Sequence, residues 1–438
     1  MISRSNRVKL ALASLTAMAI GLAGCGGGDT NKADNSNTGD EVVKLTYMHR
    51  LPDRDGMTKV NDIVATWNKE HPNIQVTATK FDGKAAEMIK KVETDIKGGE
   101  GPDMFQAGYA EVPEIFNKGL LQDVTRYAEK YKDHFAAGSY NLAGVAGKQY
   151  GLPQDSGPLT YFYNKTEFEK LGLKVPTTKD ELIEEAKTAA KSGKYIMSYQ
   201  SDEAGNMLSS LAGAASPWYK VDGDAWVVDA NGSGSKAVAD VYQELLDNKA
   251  VATAQRWTTD FDAQIQDGSL IGTIAAAWEA PLFMTSDGGK HSGQWAVTQI
   301  GDWFGNGTKT GPDGGSAVVV SKNNKYPEQT VEFLDWFNTQ VPELVSQGLV
   351  PVATTEAAKT LEDWAKFFGG QDIMAEFKTA NDNISEFNYI PGFSAVVAKM
   401  NETAAKAVDG SGKVADVFAD AQSTSIETLK NYQLSVKE

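Results

Sequence analysis

"VVKLTYMHRLPDRDGMTKVNDIVATWNKEHPNIQVTATKF" (residues 42–81) decides the fold class. It opens with a short β-rich run, VVKLTYMH. Met57, Val60, Ile63, Val64 and Trp67 then recur at helical spacing until HPN stops the helix. IQVTATKF is the next β-rich run, residues 85–96 repeat the helical pattern, and the breaker GGEGPD leads into DMFQAG as a third strand. Strands alternating with helices of this length predict a parallel, doubly wound α/β sheet, whose ligands sit beyond the carboxyl ends of the strands. The loops HRLPDRDG (49–56), QAGYAE (106–111) and LPQDSGP (152–158) are therefore the first places to look for a site. Further helices are predicted at 179–191, 235–248, 327–347, 354–368 and 394–408, with no internal repeat, heptad series or extended charge block.

Ahead of this stretch, Arg4, Arg7 and Lys9 precede LALASLTAMAIGLAG (10–24), an apolar run too short and too rich in small residues to span a membrane. Residues 1–24 read as a secretory signal peptide. Cys25 is the only cysteine, so it closes no internal disulfide and completes no structural zinc site. The stretch Leu22-Ala23-Gly24-Cys25 resembles the lipobox of bacterial lipoproteins, which implies an acylated sulfur and Cys25 as the first mature residue. Residues 25–40, rich in Gly, Asn and Asp, are expected to be a flexible tether. With 58 acidic against 42 basic residues the formal charge is −16; losing the three basic residues of the signal takes it to −19. That charge argues against a nucleic-acid partner and against direct adhesion to anionic lipid. The membrane is expected to be reached through the lipid anchor alone.

The four histidines, at 49, 71, 134 and 291, never fall at metal-ligand spacing, so no metal is expected. There is no G-x-S-x-G elbow and no phosphate-binding G-x-x-x-x-G-K-[ST] loop, and GNGTKTG (305–311) lacks the third glycine of a dinucleotide fingerprint. No cofactor is expected. What stands out is aromatic: 9 Trp, 15 Tyr and 17 Phe, with several tryptophans beside Gly, Pro, Arg or acidic residues. Trp218 lies in SPWY, Trp257 in QRWTTD, Trp278 in AAWEAP before Glu279, and Trp303 in GDWFGNG. Aromatic faces suit the C–H faces of sugar rings, and Asp, Asn, Glu, Gln, Arg and His suit their hydroxyl edges. Each tryptophan also has a packing reading. Trp67, Trp336 and Trp364, on helices with apolar neighbours, are assigned to the core, and Trp278 ends an apolar strand.

A resemblance then becomes specific. GPDMFQAGYAEVPEIFNKGLLQDVT (101–125), GKQYGLPQDSGPLTYFYNKTEFEKLGL (147–173), VPTTKDELIEEAK, DGSLIGTIAAAWEAPLF (267–283), GGSAVVVSKNNKYPEQTVEFLDWF and GLVPVATTEA follow one another as in the solute-binding proteins of ABC importers. The chain resembles in particular the maltose-binding-like family for oligosaccharides. The resemblance implies an α/β periplasmic-binding-protein fold of two lobes joined by hinge crossings, with the ligand in the cleft between them. Carried onto this chain, lobe 1 is expected at 41–154 and 309–355 and lobe 2 at 155–308 and 356–438, with crossings near Pro153, near 306–311 and near Pro351. It further implies polar sugar contacts from His49, Arg50 and Asp53 after the first strand and from Gln106 and Tyr109 after the third. Asp155, just past the first crossing, is either a hydroxyl acceptor or a cap for the next turn. Trp278 and Glu279 face the cleft at a strand end. Asn388, Tyr389 and Phe393, before the last long helix, supply the neighbourhood in which the family places a stacking aromatic. Trp218, Trp257 and Trp303 complete the expected set.

The resulting expectation is a monomeric, lipid-anchored, extracytoplasmic receptor that captures an oligosaccharide and delivers it to an ABC permease, without enzymatic activity. Two rivals differ in chemistry. A surface-anchored glycoside hydrolase needs a catalytic carboxylate pair, which 58 acidic residues leave open. A peptide or amino-acid receptor needs charged clamps, for which the predicted loops offer Arg50 and little else.

Overall fold

The computed structural model describes residues 42–54 and 56–437; the signal segment, Cys25 and the tether lie outside the described residues. The opening stretch forms strand Val43–His49, helix Val60–Glu70 and strand Ile74–Lys80, with the strands parallel from Val43 opposite Ile74 to His49 opposite Lys80. The buried side of the helix carries Val60, Ile63, Val64 and Trp67, the residues whose spacing predicts it. Polar side chains then weld helix to strand. The Trp67 indole N–H donates to the Ile74 carbonyl at 2.9 Å, and the Asn68 amide both donates to and accepts from the Val76 backbone. Strand Met104–Gly108 joins on the other side, parallel again, with Tyr47 opposite Met104.

Beyond that third strand the sheet is antiparallel, which corrects the expectation of a wholly parallel sheet. Strand Pro312–Val320 returns late in the chain and pairs antiparallel with Met104–Gly108. Its other edge pairs with a 14-residue strand, Gly151–Asn164, which is buried along nearly its whole length. This long strand changes partners midway. Its first half pairs with Pro312–Val320 and with the short strand Val350–Pro351 at Ser156 and Asp155. Its second half pairs with Gly272–Ala276 on one side and Trp295–Thr298 on the other. Two register irregularities, one leaving Gln154 and one leaving Gly157 without a regular partner, bracket the turnover point at Asp155 and Ser156. Pro153 and Pro158, which cannot donate to a ladder, stand next to these irregularities.

Hydrophobic cores form on both sides of each half of this sheet. Around the first half, one cluster contains Leu45, Tyr47, Trp67, Leu152, Val318 and Phe337, and another contains Phe105, Tyr109, Ile115, Ala317 and Val319. Around the second half, one contains Tyr161, Leu211, Tyr242, Trp303 and Phe418, and another contains Phe162, Phe283, Trp295, Phe368 and Phe377. Each half is thus a sheet between helical layers with its own core. Helix Val341–Ser346 serves both, sending Leu344 to the first half and Val341 and Val345 to the second.

Two expected helices are shorter than predicted. The segment 327–347 breaks into Pro327–Asn338 and Val341–Ser346, because Pro342 lacks the N–H a continuous helix needs but fits the first turn of a new one. In 354–368 only Glu362–Phe367 is helical; Ala353 bridges to Phe135 and the Thr354 N–H donates to His134, which holds the start of that segment extended.

The long strand tolerates no added bulk at its start. A Cβ on Gly151 falls 2.1 Å from the Val318 carbonyl oxygen and 2.7 Å from Val319 Cα. Gly151→Ala is expected to lower the unfolding free energy by about 1–3 kcal/mol, measured by denaturant titration; an unchanged midpoint contradicts this packing.

Candidate functional site

The carboxyl ends of the first-half strands meet the turnover point of the long strand in a buried polar network. The Gln106 side-chain amide donates to Gln154 Oε1 and to the Ser316 hydroxyl, both at 3.1 Å, while its Oε1 accepts the Arg50 backbone N–H at 2.8 Å. Gln154 in turn donates to Asn338 at 3.0 Å, and Asn338 donates to the backbone carbonyls of Leu152 and Pro153. The irregularity in the strand thus swings Gln154 into a network that ties both neighbouring strands to helix Pro327–Asn338. Asp155 accepts from Ser316, and its backbone carbonyl accepts the Tyr109 hydroxyl at 2.9 Å. Burial pushes the Asp155 carboxyl up to about 7, against the pull of the Ser316 hydrogen bonds and the Arg50 charge. Tyr109 lies against Gly315, whose φ of +83° and the 2.8 Å between a Cβ there and the Tyr109 ring leave room for glycine only.

His49 ends the first strand. It is 2% exposed, its Nδ1 has no hydrogen-bond partner, and burial pushes its pKa down to about 4 although Asp53 and Asp82 favour the charged form. Arg50 makes a two-pronged pair with Glu111, at 3.2 and 3.1 Å. Asp53, expected to contact the sugar, is bonded within the fold through one carboxylate oxygen. At φ +54° its Oδ1 accepts the Val60 N–H at 2.8 Å, starting helix Val60–Glu70, and also the Gln347 amide at 3.1 Å. Its carboxylate serves the joint between this loop and the segment after helix Val341–Ser346.

The other side of the turnover point is built on one guanidinium. Arg256, 5% exposed, donates from Nε to Glu279 Oε2 at 2.8 Å, pairs through its terminal nitrogens with Glu279 Oε1 and with Asp313 at 3.3 Å, and lies 4.0 Å from Glu203. Its guanidinium carbon lies over the ring of Trp257 at 5.6 Å and over that of Trp278 at 5.2 Å. Trp278 follows strand Gly272–Ala276 in a single turn, is partly exposed, and donates from its indole N–H to the Asp313 carbonyl at 2.7 Å. Glu279 also accepts the Ala276 N–H at 2.7 Å, so the carboxylate closes the turn that presents Trp278. Burial raises the Glu203 carboxyl above its ordinary value, and the neighbouring Asp313 charge adds to the rise while Arg256 opposes it.

The remaining expectations divide. Trp218, Trp303 and Phe393 belong to the core of the second half, which corrects their assignment to the ligand. Trp218 packs against Tyr219, Phe387 and Phe418; the Trp303 indole donates to the Pro176 carbonyl while its ring meets Tyr161 edge-on; Phe393 packs on Phe387. Their flanking Gly, Pro and acidic residues mark turns that enter the core. Asn388 is exposed, whereas Tyr389 is half-buried and packs against clusters of both halves. The structure therefore gathers Gln106, Tyr109 and Asp155 on one side and Trp257, Trp278 and Glu279 on the other. Arg256, Asp313, Glu203, Gln154 and Ser316 were not read from the sequence. A usable signal for Arg256 is its rarity: it is one of six arginines in a chain whose cations are mostly lysine, and it adjoins Trp257. Among the described residues no group of three or more His, Cys, Asp or Glu side chains is placed to hold a metal ion.

Two of the shifted groups, Asp155 and His49, act oppositely on stability. Asp155 has its folded pKa raised to about 7, so its contribution is fully present below its ordinary value of 3.8 and is lost as pH rises through 7. His49 has its folded pKa lowered from 6.5 to about 4, so its contribution is present above 6.5 and is lost as pH falls through 4. Between pH 4 and 6.5 the slopes oppose and mask one another. Asp155→Asn is therefore expected to gain stability over the parent as pH is raised from 4 to 7, with a slope approaching about 1.4 kcal/mol per pH unit. His49→Gln is expected to gain on the parent as pH is lowered from 6.5 to 4. Unfolding midpoints at four or five pH values check both, and parallel curves contradict the assignment.

Comparison with known proteins bears on this arrangement. Residues 52–342 match the family model of the bacterial extracellular solute-binding proteins. The structure of the galacto-N-biose-/lacto-N-biose I-binding protein of the ABC transporter from Bifidobacterium longum, in complex with lacto-N-biose, is 71% identical with a TM-score of 0.89, over 91% of this chain and 99% of that one. The ABC transporter associated binding protein from B. animalis subsp. lactis Bl-04, in complex with beta-1,6-galactobiose, shares the fold at 24% identity, with a TM-score of 0.75 over 91% of this chain and 100% of that one. The arabinooligosaccharide-binding protein of Bacillus subtilis (strain 168) is 23% identical over 283 residues, 62% of this chain and 64% of that relative's length. The lactose-binding protein of Rhizobium radiobacter is 23% identical over 349 residues, 74% of this chain and 78% of that relative. With the family model covering well over half its length, and with two core-bearing sheet halves joined by shared strands, this chain belongs to the bacterial extracellular solute-binding proteins and has their two-lobe fold.

Proposed function

We propose that this protein captures a disaccharide of the kind named galacto-N-biose or lacto-N-biose I outside the cytoplasm and delivers it to the membrane permease of an ABC importer. The observation that carries the reading is the 71% identity, spread over 91% of the chain, to a protein solved with lacto-N-biose. The site supports it chemically. Trp278, Trp257 and Tyr389, all partly exposed, offer ring faces to sugar C–H surfaces, and the partly exposed Arg50–Glu111 pair offers hydrogen-bonding groups to hydroxyls. Contacts from both lobes favour the closed form, because only that form makes both sets. Micromolar capture needs about −8 kcal/mol, within reach of stacked rings and a few hydrogen bonds after ordering costs. No bond in the ligand is made or broken in this reading.

Lobe boundaries at 41–154 with 309–355 and at 155–308 with 356–438 belong to the same proposal, as does a monomeric state. So does the anchor: an acyl chain on Cys25 holds the receptor beside its permease on the tether 25–40. No helix among the described residues is long and apolar enough to cross a membrane.

Calorimetric titration of the mature chain with lacto-N-biose, galacto-N-biose and a panel of other oligosaccharides tests the reading. Saturable heat with the sugar recovered intact is expected; heat with none, or hydrolysis products in the cell, overturns it. Trp278→Ala is expected to weaken sugar binding at least tenfold, about 1.4 kcal/mol, with the circular dichroism of the fold unchanged. Cys25→Ser is expected to leave sugar affinity alone and move the protein from the membrane fraction to the medium; retention at the membrane removes the anchor from the proposal.

A further inference from the structure

Arg256 is more heavily engaged than any other cation described at the turnover point, and the family resemblance did not point to it. Three segments far apart in sequence converge on it: its own N–H donates to Asp202 and its guanidinium lies 4.0 Å from the adjacent Glu203, it clasps Glu279 beside Trp278, and it reaches Asp313 on the return strand. Two tryptophan rings lie under the same guanidinium. Trp257 holds a φ of +60°, a backbone conformation costly for a bulky residue, which persists only where its surroundings over-determine it. Trp278 is clamped from a second direction by its bond to the Asp313 carbonyl, and it lies so close to Gly314 that a Cβ there would be 2.9 Å from its indole nitrogen.

An aromatic platform for a sugar presents one face to the ligand and needs a rigid backing on the other. A guanidinium supplies that backing as a flat, charged surface attracted to the ring, and its fork fixes its own orientation through two carboxylates. The carboxylates in turn belong to the turn that carries Trp278 and to the strand that crosses between the lobes.

We propose that Arg256 is a positioning residue for sugar binding: without touching the ligand, it backs Trp257 and Trp278 and fixes them relative to the return strand through Glu279 and Asp313. This rests on the sugar-receptor reading above. The discriminating experiment is a double-mutant cycle read by calorimetry with lacto-N-biose, using the parent, Arg256→Lys, Trp278→Ala and the double variant. Lysine keeps the charge but has neither the fork nor the flat surface. Arg256→Lys is expected to lose at least tenfold in affinity in the parent background, and a clearly smaller factor once Trp278 is gone, because part of its effect runs through that ring and only the part through Trp257 remains. It is also expected to change the near-ultraviolet tryptophan circular dichroism of the ligand-free protein while the far-ultraviolet spectrum stays the same. Equal losses in both backgrounds, or parent-like affinity for Arg256→Lys, overturn the positioning role. A parent that binds no sugar overturns the functional reading itself. Should Arg256→Lys not fold, the charge-balanced pair Arg256→Met with Glu279→Gln replaces it: a folded variant with weakened binding supports the role, and one with parent-like binding overturns it.

Discussion

Backbone hydrogen bonding along Gly151–Asn164 is the constraint on which the rest of the architecture depends. A strand buried over 14 residues must find partners for its donors and acceptors, and no one neighbouring strand among those described pairs with it along its whole length. Two sets of partners share it, one on each half of the sheet, and the strand is thereby a structural link between the cores of the two halves. Where one set of partners ends and the other begins the ladder is irregular, and the residues at that place, Gln154, Asp155, Ser156 and Gly157, have backbone or side chains released for other work. Gln154 and Asp155 use that freedom to build the polar network, and the return strand brings Ser316 and Asp313 alongside. The polar network lies at the turnover point because that is where the ladder is irregular.

Charge buried there is handled in two ways. On one side of the turnover point, burial dominates: Asp155 shifts towards its neutral form and His49 is kept neutral, so neither has to carry a full charge in a poorly solvated place. On the other side the charges are kept and paired, with Arg256 between Glu279 and Asp313. A buried ion pair of this kind is a poor source of stability, since desolvation offsets most of its attraction, but it specifies geometry strongly. Its presence beside two tryptophans, one in a strained backbone conformation, fits a site in which stability is given up for orientation.

Much of this was legible in residues 42–108. The period of Met57, Val60, Ile63, Val64 and Trp67 marks the buried face of the first helix because a helix on a sheet has only one face to bury. The strand ends were legible too, and with them Gln106, Tyr109 and Trp278 as residues whose bonds gather around the turnover of the long strand. Reading went astray where flanking residues stood in for surroundings. Trp218 and Trp303 are bordered by turn formers, yet a turn next to a tryptophan directs the ring inward as readily as outward; here Tyr219, Phe387, Phe418 and Tyr161 receive them. For Asp53, too, nothing in the sequence signals that a helix start seven residues on and Gln347 from late in the chain bond its Oδ1.

By itself the sequence determined the α/β class, the first strands and helices, and the resemblance to sugar receptors, because these rest on periodicity and on the order of local motifs. Only the tertiary structure decided that the sheet turns antiparallel after its third strand, that one strand is shared between two halves, and that Arg256 sits between carboxylates 23 and 57 residues away. The physical reason is range. Helical and strand periods are set by neighbours within a few residues, whereas the partner of a buried charge or of an irregular backbone group is set by whichever distant segment the fold brings within 3 Å.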